Sequence, residues 1–274
     1  MTREAWLKDH PYLEPVANLE KILEDAAAAT PAAVPVPDLA PHAPERANGV
    51  PLLRSEVVSL DLTGAGQLFS ALVDALASAA LPEKLGEDAR AVKDLLRVSP
   101  GYKGLSVRWA SEGAPAEKAP ATPQVGLLRY LAWRALRSAL APVVAANAAA
   151  RGEEGWTQPY CPTCGAPPVM TQLSGPEGNR RRLLACGACG DRWGWKRIGC
   201  PYCDNEDGKT IDLLMLDAEP DLGIQICQAC KGYLKIYRGD GQEALYLLDW
   251  PTLHLDAIAK EQGAARKGAS LYDL

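Results

Sequence analysis

Every one of the eight cysteines in this 274-residue chain lies in a C-x-x-C pair: Cys161/Cys164, Cys186/Cys189, Cys200/Cys203 and Cys227/Cys230. Such a turn places two thiolates on one ion, at about 2.3 Å each for zinc, while the following backbone amides can point at the sulfurs and offset their charge. Each pair is therefore half of a tetrahedron. Small or turn-forming neighbours are needed beside the sulfurs, and Pro162, Gly165, Gly187, Gly190, Pro201 and Gly232 supply them. The pairs are separated by 21, 10 and 23 intervening residues. Joining consecutive pairs gives one site from Cys161, Cys164, Cys186 and Cys189 and a second from Cys200, Cys203, Cys227 and Cys230. Each intervening loop is then long enough for a two-strand hairpin, the ribbon or rubredoxin-like arrangement. A RING-like interleaved pairing, or a site from the middle two pairs, remains open on spacing alone.

The three histidines, His10, His42 and His254, all fall outside the cysteine region. The expected sites are thus all-sulfur and closed, a ligand set for structural or electron-transfer roles rather than hydrolysis, and one that zinc and iron both accept. No Gly-rich phosphate loop, nucleophile elbow or paired-carboxylate motif is present, so no catalytic residue is named and the chain is not read as an enzyme. A formal charge of -5 gives no global basic field for a nucleic-acid backbone. The run Arg180, Arg181 and Arg182, with Lys196 and Arg197, could face an acidic partner but has an ordinary reading as solvated surface. Trp193 and Trp195 share a strand face, where packing over a metal knuckle is the expected role rather than base stacking.

The elements that must position these cysteines divide the chain. Ala and Leu supply most of its 47% hydrophobic content and there is a single Phe, so the first half should be helical. Apolar residues recur at helical spacing over 12–28, 65–80, 87–97 and 124–150, predicting a bundle. Prolines at 31, 35, 37, 41, 44 and 51 predict an extended connector, and the Gly/Pro-rich stretch 98–123 predicts a long loop. Past Gly152, Ala gives way to Trp, Tyr, Gly and Cys. Val169–Leu173 and Arg180–Ala185 read as a hairpin. Trp193–Ile198, Thr210–Leu216, Ile224–Cys227, Tyr233–Tyr237 and Ala244–Leu248 read as further strands, with a closing helix over Leu253–Gln262. The expected fold class is α+β. A helical domain over 1–155, with a Pro/Ala-rich connector at 30–51, precedes two small rubredoxin-like or zinc-ribbon-like β modules, each with a four-cysteine metal site, over 156–198 and 199–274. The second includes the C-terminal tail. No apolar h-region opens the sequence and no stretch is long enough to span a bilayer, so a cytoplasmic location and a reducing compartment are expected.

Beyond the cysteines themselves, four stretches resemble the formate dehydrogenase accessory proteins of the FdhE type. They are Cys161-Pro-Thr-Cys-Gly-Ala-Pro-Pro168, Arg182-Leu-Leu-Ala-Cys-Gly-Ala-Cys189 on through Trp193 to Arg197, Cys200-Pro-Tyr-Cys203, and Cys227-Gln-Ala-Cys-Lys-Gly-Tyr-Leu-Lys-Ile236. The tail adds Leu248-Asp249, Thr252-Leu253, Leu255-Asp256, Gly263 and Arg266. The resemblance covers about 156–270; the helical half is similar in layout only, and Gly268-Ala269-Ser270 stands where the family often has Asn-Pro. It implies a cytoplasmic maturation factor that binds the formate dehydrogenase catalytic subunit before export or final assembly. It also implies two rubredoxin-like sites, with iron favoured over zinc. The competing classes are a rubredoxin-like electron carrier, which would be coloured and redox-active, and a zinc-ribbon nucleic-acid-binding protein, which would bind polyanions in a salt-dependent way. No membrane span is expected, and the partner-binding surface is not assigned.

Overall fold

The computed structural model describes residues 2–112, 121–152, 155–240 and 244–272. The chain opens with α1 (Arg3–Asp9), where the Thr2 hydroxyl accepts from the Ala5 N–H as an N-cap and Trp6 is buried. A turn at Pro11–Leu13 leads into α2 (Glu14–Ala29), with Pro15 in the first turn where its missing N–H costs nothing. The proline-rich connector is largely extended, interrupted by a turn at Ala40–His42 and the short α3 (Ala43–Ala47). The bundle follows as α4 (Thr63–Ser78), α5 (Glu83–Val98), α6 (Gly101–Glu112), α7 (Val125–Ala139) and α8 (Ala141–Arg151). Phe69, Leu72 and Leu76 of α4 and Leu128, Leu131 and Leu136 of α7 are almost wholly buried in one core.

Two helical expectations are corrected. The stretch read as a loop contains α6: Gly101 and Gly104 lie on its exposed side with open space where a side chain would stand, while Val107 and Ala110 pack inward. Gly113, Pro115 and Pro120 of that predicted loop lie outside the described residues. The helix read over 124–150 is two, because Pro142 lacks an N–H and would clash inside a continuous helix; it sits instead in the first turn of α8.

The second half forms β1 (Met170–Ser174), β2 (Arg181–Ala185), β3 (Arg192–Gly194), β4 (Ile211–Met215), β5 (Leu222–Cys227), β6 (Gly232–Arg238), α9 (Leu253–Glu261) and β7 (Ala265–Arg266). Trp193–Ile198 is strand only at its start, since the chain turns away after the Trp195 N–H bonds the Arg182 carbonyl. Ala244–Leu248, expected as a strand, is a 3-10 turn over Ala244–Leu247; its buried Tyr246 sets its ring against Trp6 and Tyr237. The strands join into one sheet of order β3-β2-β1-β6-β5-β4, with β7 beside β6. The two cysteine hairpins meet where β1 pairs with β6 in parallel, Met170 opposite Lys235.

A buried polar network ties the tail to this seam. Lys235 has no exposed surface, and its ammonium donates to Asp249 and, at 3.2 Å, to Asp256. Asp249 also accepts from Ser270 at 2.5 Å, and Asp256 from Tyr233 at 2.6 Å and Arg266 at 2.5 Å. These pairings satisfy charges that would otherwise be costly to bury. Across the molecule, buried Glu20 of α2 accepts from Tyr130 of α7 and from Tyr272 of the tail, and pairs with Arg134 at 2.8 Å. Helices, sheet and tail are thereby fastened together.

Candidate metal centres

Each C-x-x-C pair sits on a turn in which the carbonyl of the first cysteine accepts from the residue after the second, and at the first three pairs the N–H of the first cysteine also bonds a carbonyl five residues on; Gly165 N–H to Cys161 and Cys161 N–H to Ala166, both 2.9 Å, show the pattern. This closure demands positive φ at the residue after the second cysteine. Gly165 (φ 79°) and Gly190 (φ 82°) meet it at the first two knuckles, Asp204 and Lys231 (both φ 57°) at the last two.

The structure gathers the pairs consecutively. Cys161, Cys164, Cys186 and Cys189 form one cluster; Cys200, Cys203, Cys227 and Cys230 form another, with the ligand atoms of each within 4.8 Å of one another. A tetrahedral ion with metal–sulfur bonds of about 2.3 Å needs sulfurs about 3.8 Å apart. In the second cluster Cys200–Cys230 and Cys203–Cys227 are each 3.7 Å apart. In the first, Cys161–Cys189 and Cys164–Cys186 are 3.4 and 3.5 Å, a few tenths short of that edge. Both donor sets fit one tetrahedral ion each, and such an ion would supply charge neutralisation of four thiolates.

Their surroundings differ. All four cysteines of the first cluster are buried, in the same apolar core as α4 and α7, and Trp193 and Trp195 pack into that core too. Buried polar groups brace it from the helices. Asn147 donates to the Thr163 hydroxyl, which donates to Asp191 at 2.6 Å, and Arg151 pairs with the same carboxylate at 2.7 Å. Burial pushes the Asp191 carboxyl up in spite of Arg151. The connector joins in through the N–H groups of Leu52 and Leu53, which bond the Pro162 and Thr163 carbonyls. Without a cation, burial pushes the Cys161 thiol up, while hydrogen bonds from its three neighbours hold Cys186 well down as the thiolate.

The second cluster sits at the outer part of the sheet, with Cys203 exposed and Cys230 partly so. Burial opposes ionisation of Cys227, but N–H groups of Cys230 and Ala229 and the Asn205 amide outweigh it, bringing that thiol down to about 7. Of the basic run, Arg182 is not a surface residue. It is buried, its pKa lowered to about 10 by that burial, and donates to Gly199 and Gln225 at 3.0 Å, bridging the two cysteine regions.

No family model matches the chain. It is 32% identical to the protein FdhE homolog of Stutzerimonas stutzeri over 120 residues, 42% of this chain and 38% of that protein. It is 31% identical to the protein FdhE of Escherichia coli over 127 residues, 45% of this chain and 40% of that one. The matched region thus spans about two fifths of the length of these relatives. The crystal structure of the FdhE protein from Pseudomonas aeruginosa shares the fold at a TM-score of 0.62 and 23% identity, over 95% of this chain and 88% of that one. The chain thus resembles FdhE proteins in sequence over its matched region and shares the fold of one of them.

The tail segments that resemble FdhE proteins in sequence have a physical reason in this structure: Asp249, Asp256 and Arg266 are the partners of buried Lys235 and its neighbour Tyr233. Ser270, which departs from the family's text, is bonded into the same network. Among the described residues, no helix is long and apolar enough to cross a membrane. One association of residues escaped the sequence entirely. His10 and His254, set aside as lying outside the cysteine region, meet over Glu219, and a separation of 209 residues between His10 and Glu219 leaves no local signal. His42 remains apart, fully buried beside Glu45.

Proposed function

We propose that this chain is an FdhE-type accessory factor in formate dehydrogenase maturation, a non-catalytic cytoplasmic protein that binds the catalytic subunit before export or final assembly. The observation that carries this reading is the coincidence of two closed four-cysteine clusters with the sequence and fold of FdhE proteins. Each cluster is read as holding one tetrahedral ion, iron favoured and zinc accepted by the same donors. The modules 156–198 and 199–274 act as the body that these ions hold rigid.

A client surface fits beside the metal modules. A groove of about 1030 Å³ runs between the Trp156–Pro159 segment and the edge of the sheet, and its wall carries Arg180 and Arg197 with Trp195, while Lys196 there is paired with Asp204 and Glu206. It is suited to an extended, acidic segment of the client, with aromatic surface for its apolar residues. Exposed Ile198 and Leu213 line a smaller pocket that shares Arg182 and Arg197 with the groove, adding apolar contact area.

The test is purification of the tagged chain from its native cytoplasm at moderate salt, with metal content and visible spectrum taken on the same sample. Co-elution of a formate dehydrogenase catalytic subunit, lost when Arg180 and Arg197 are changed to Glu, supports the reading. Elution with nucleic acid or a reductase in place of that subunit overturns it in favour of the ribbon or electron-carrier class.

A further inference from the structure

At the far side of the sheet from the groove, the N-terminal segment, the β4–β5 turn and α9 converge on a cluster with no sulfur. His10 closes α1, Glu219 lies in the turn between Leu216 and Leu222, and His254 stands in the first turn of α9. The His10 Nε2 is 2.6 Å from one Glu219 oxygen and the His254 Nε2 is 2.9 Å from the other. The two imidazole centroids are 5.0 Å apart. We propose that His10, Glu219 and His254 form a third metal site, distinct from both thiolate clusters, for a late first-row divalent cation such as zinc, cobalt or nickel.

The tautomer of His10 is set by its outer partner. Its Nδ1 lies 3.1 Å from the Trp6 carbonyl, which can only accept, so Nδ1 carries hydrogen. Neutral His10 then presents an Nε2 lone pair to the Glu219 carboxylate. Two lone pairs cannot share that contact without a cation between them, either a proton or a metal. An imidazole whose other N–H donates to a backbone carbonyl is the usual bearing of a metal-ligating histidine, because that bond sets the tautomer and aims the ring. The ring is further held by stacking on Trp6 at 3.8 Å, 20° from parallel.

His254 turns its Nε2 to the same carboxylate, while its Nδ1 is buried with no hydrogen-bond partner, a cost that an ion at Nε2 would leave in place. Two imidazoles and one carboxylate are the donor set of open three-ligand sites, to which late first-row ions bind with water or another ligand completing the shell. The ligand contacts of 2.6 and 2.9 Å are hydrogen-bond lengths. A bound tetrahedral ion, with bonds of about 2.0–2.1 Å, would set these atoms about 3.3 Å apart, an opening that Glu219, whose side chain is one-fifth exposed, can make. Exposed Tyr12 stands beside the cluster, its ring edge-on to His10. The nearby cation Lys235 is already neutralised by Asp249 and Asp256. An ion here would clasp α1 to the β4–β5 turn and to α9, where α9 is already tied to the sheet by Asp256 through Lys235 and Tyr233 and α1 is held by the bond from Trp6 Nε1 to the Pro251 carbonyl.

The test is a Co²⁺ titration of the full chain as purified, with its thiolate-held ions in place, following total metal per chain and the visible spectrum. The expected result is one additional ion per chain with ligand-field bands but no new sulfur-to-cobalt charge transfer, and a rise in Tm on binding. Glu219→Gln and His254→Gln should weaken this binding by more than the roughly 10- to 100-fold that loss of an outer partner costs, while leaving the thiolate-bound metal content unchanged. Both replacements keep size and polarity, and circular dichroism verifies that they fold. No additional ion, an additional ion bound equally by both variants, or one whose spectrum shows thiolate charge transfer overturns the proposal. None of these outcomes depends on client binding.

Discussion

The two thiolate clusters are built from the same turn and the same four donors, yet one is interior and the other is periphery. Cys161, Cys164, Cys186 and Cys189 lie in the core that the helices also fill, and the Asn147–Thr163–Asp191–Arg151 chain ties their knuckles to α8. Cys200, Cys203, Cys227 and Cys230 cap the other hairpin with Cys203 exposed and Cys230 partly so. The contrast teaches that coordination chemistry alone does not set a metal site's role; what is packed against it does. An ion at the first cluster is part of the fold, whereas an ion at the second is open to exchange, oxidation and contact by a partner.

The largest effect should come from breaking the first cluster. Structural zinc contributes on the order of 10 kcal/mol or more in small domains, comparable with the whole stability of about 5–15 kcal/mol of an ordinary protein. Cys186→Ser is therefore expected to leave the chain unfolded or insoluble. Cys203→Ser should fold and lose only the second ion, as read by circular dichroism and metal content.

Next in size is the buried charge at the seam between the two hairpins. Lys235→Met strands the Asp249 and Asp256 carboxylates and should cost about 3–5 kcal/mol in urea unfolding. A pH series sharpens this. Burial pushes the Asp249 carboxyl up, but Lys235, Ser270 and Arg266 outweigh it and hold the group below the usual carboxylate range. Its contribution is complete above the unfolded value of about 3.9 and fades as pH falls through the folded value. Asp249→Asn should be destabilised at neutral pH and should lose less further stability than the parent below about pH 4.

How much of this was legible in the sequence follows from what is local. The C-x-x-C pairs, their turn residues, the β1/β2 hairpin and the period of α4 are short-range patterns; loops long enough for a hairpin favoured consecutive pairing of the cysteines, and the clusters themselves decided it against the alternatives that spacing left open. The parallel contact of Met170 with Lys235 is not local, and it turns two expected modules into one sheet. The helix α6 was masked by Gly101 and Gly104, whose cost is outweighed by the burial of Val107 and Ala110. Arg182 looked like part of a surface charge run because its acceptors, Gly199 and Gln225, come from later strands or knuckles. The family resemblance carried Asp249, Asp256 and Arg266 to notice without giving their reason, which only their convergence around Lys235 supplies.

The smallest effect concerns the turns themselves. Gly190→Ala puts a Cβ at φ 82°, within 3.3 Å of the Arg137 guanidinium, and should cost about 1–2 kcal/mol. At the second cluster, Lys231 already occupies that left-handed conformation. Lys231→Gly should shift stability by less than about 1 kcal/mol, since relief of strain is offset by the freer unfolded chain. Thermal unfolding of both variants, each with its metal content recorded, checks the pair.

The most direct test of the division between the clusters is a time course of chelation on the intact chain, with metal release and circular dichroism followed together. The account predicts two phases: one ion leaves early with secondary and tertiary structure unchanged and the Cys203 thiol newly alkylatable, and the other leaves only as the fold is lost. Simultaneous release of both ions, or early release accompanied by unfolding, would contradict it.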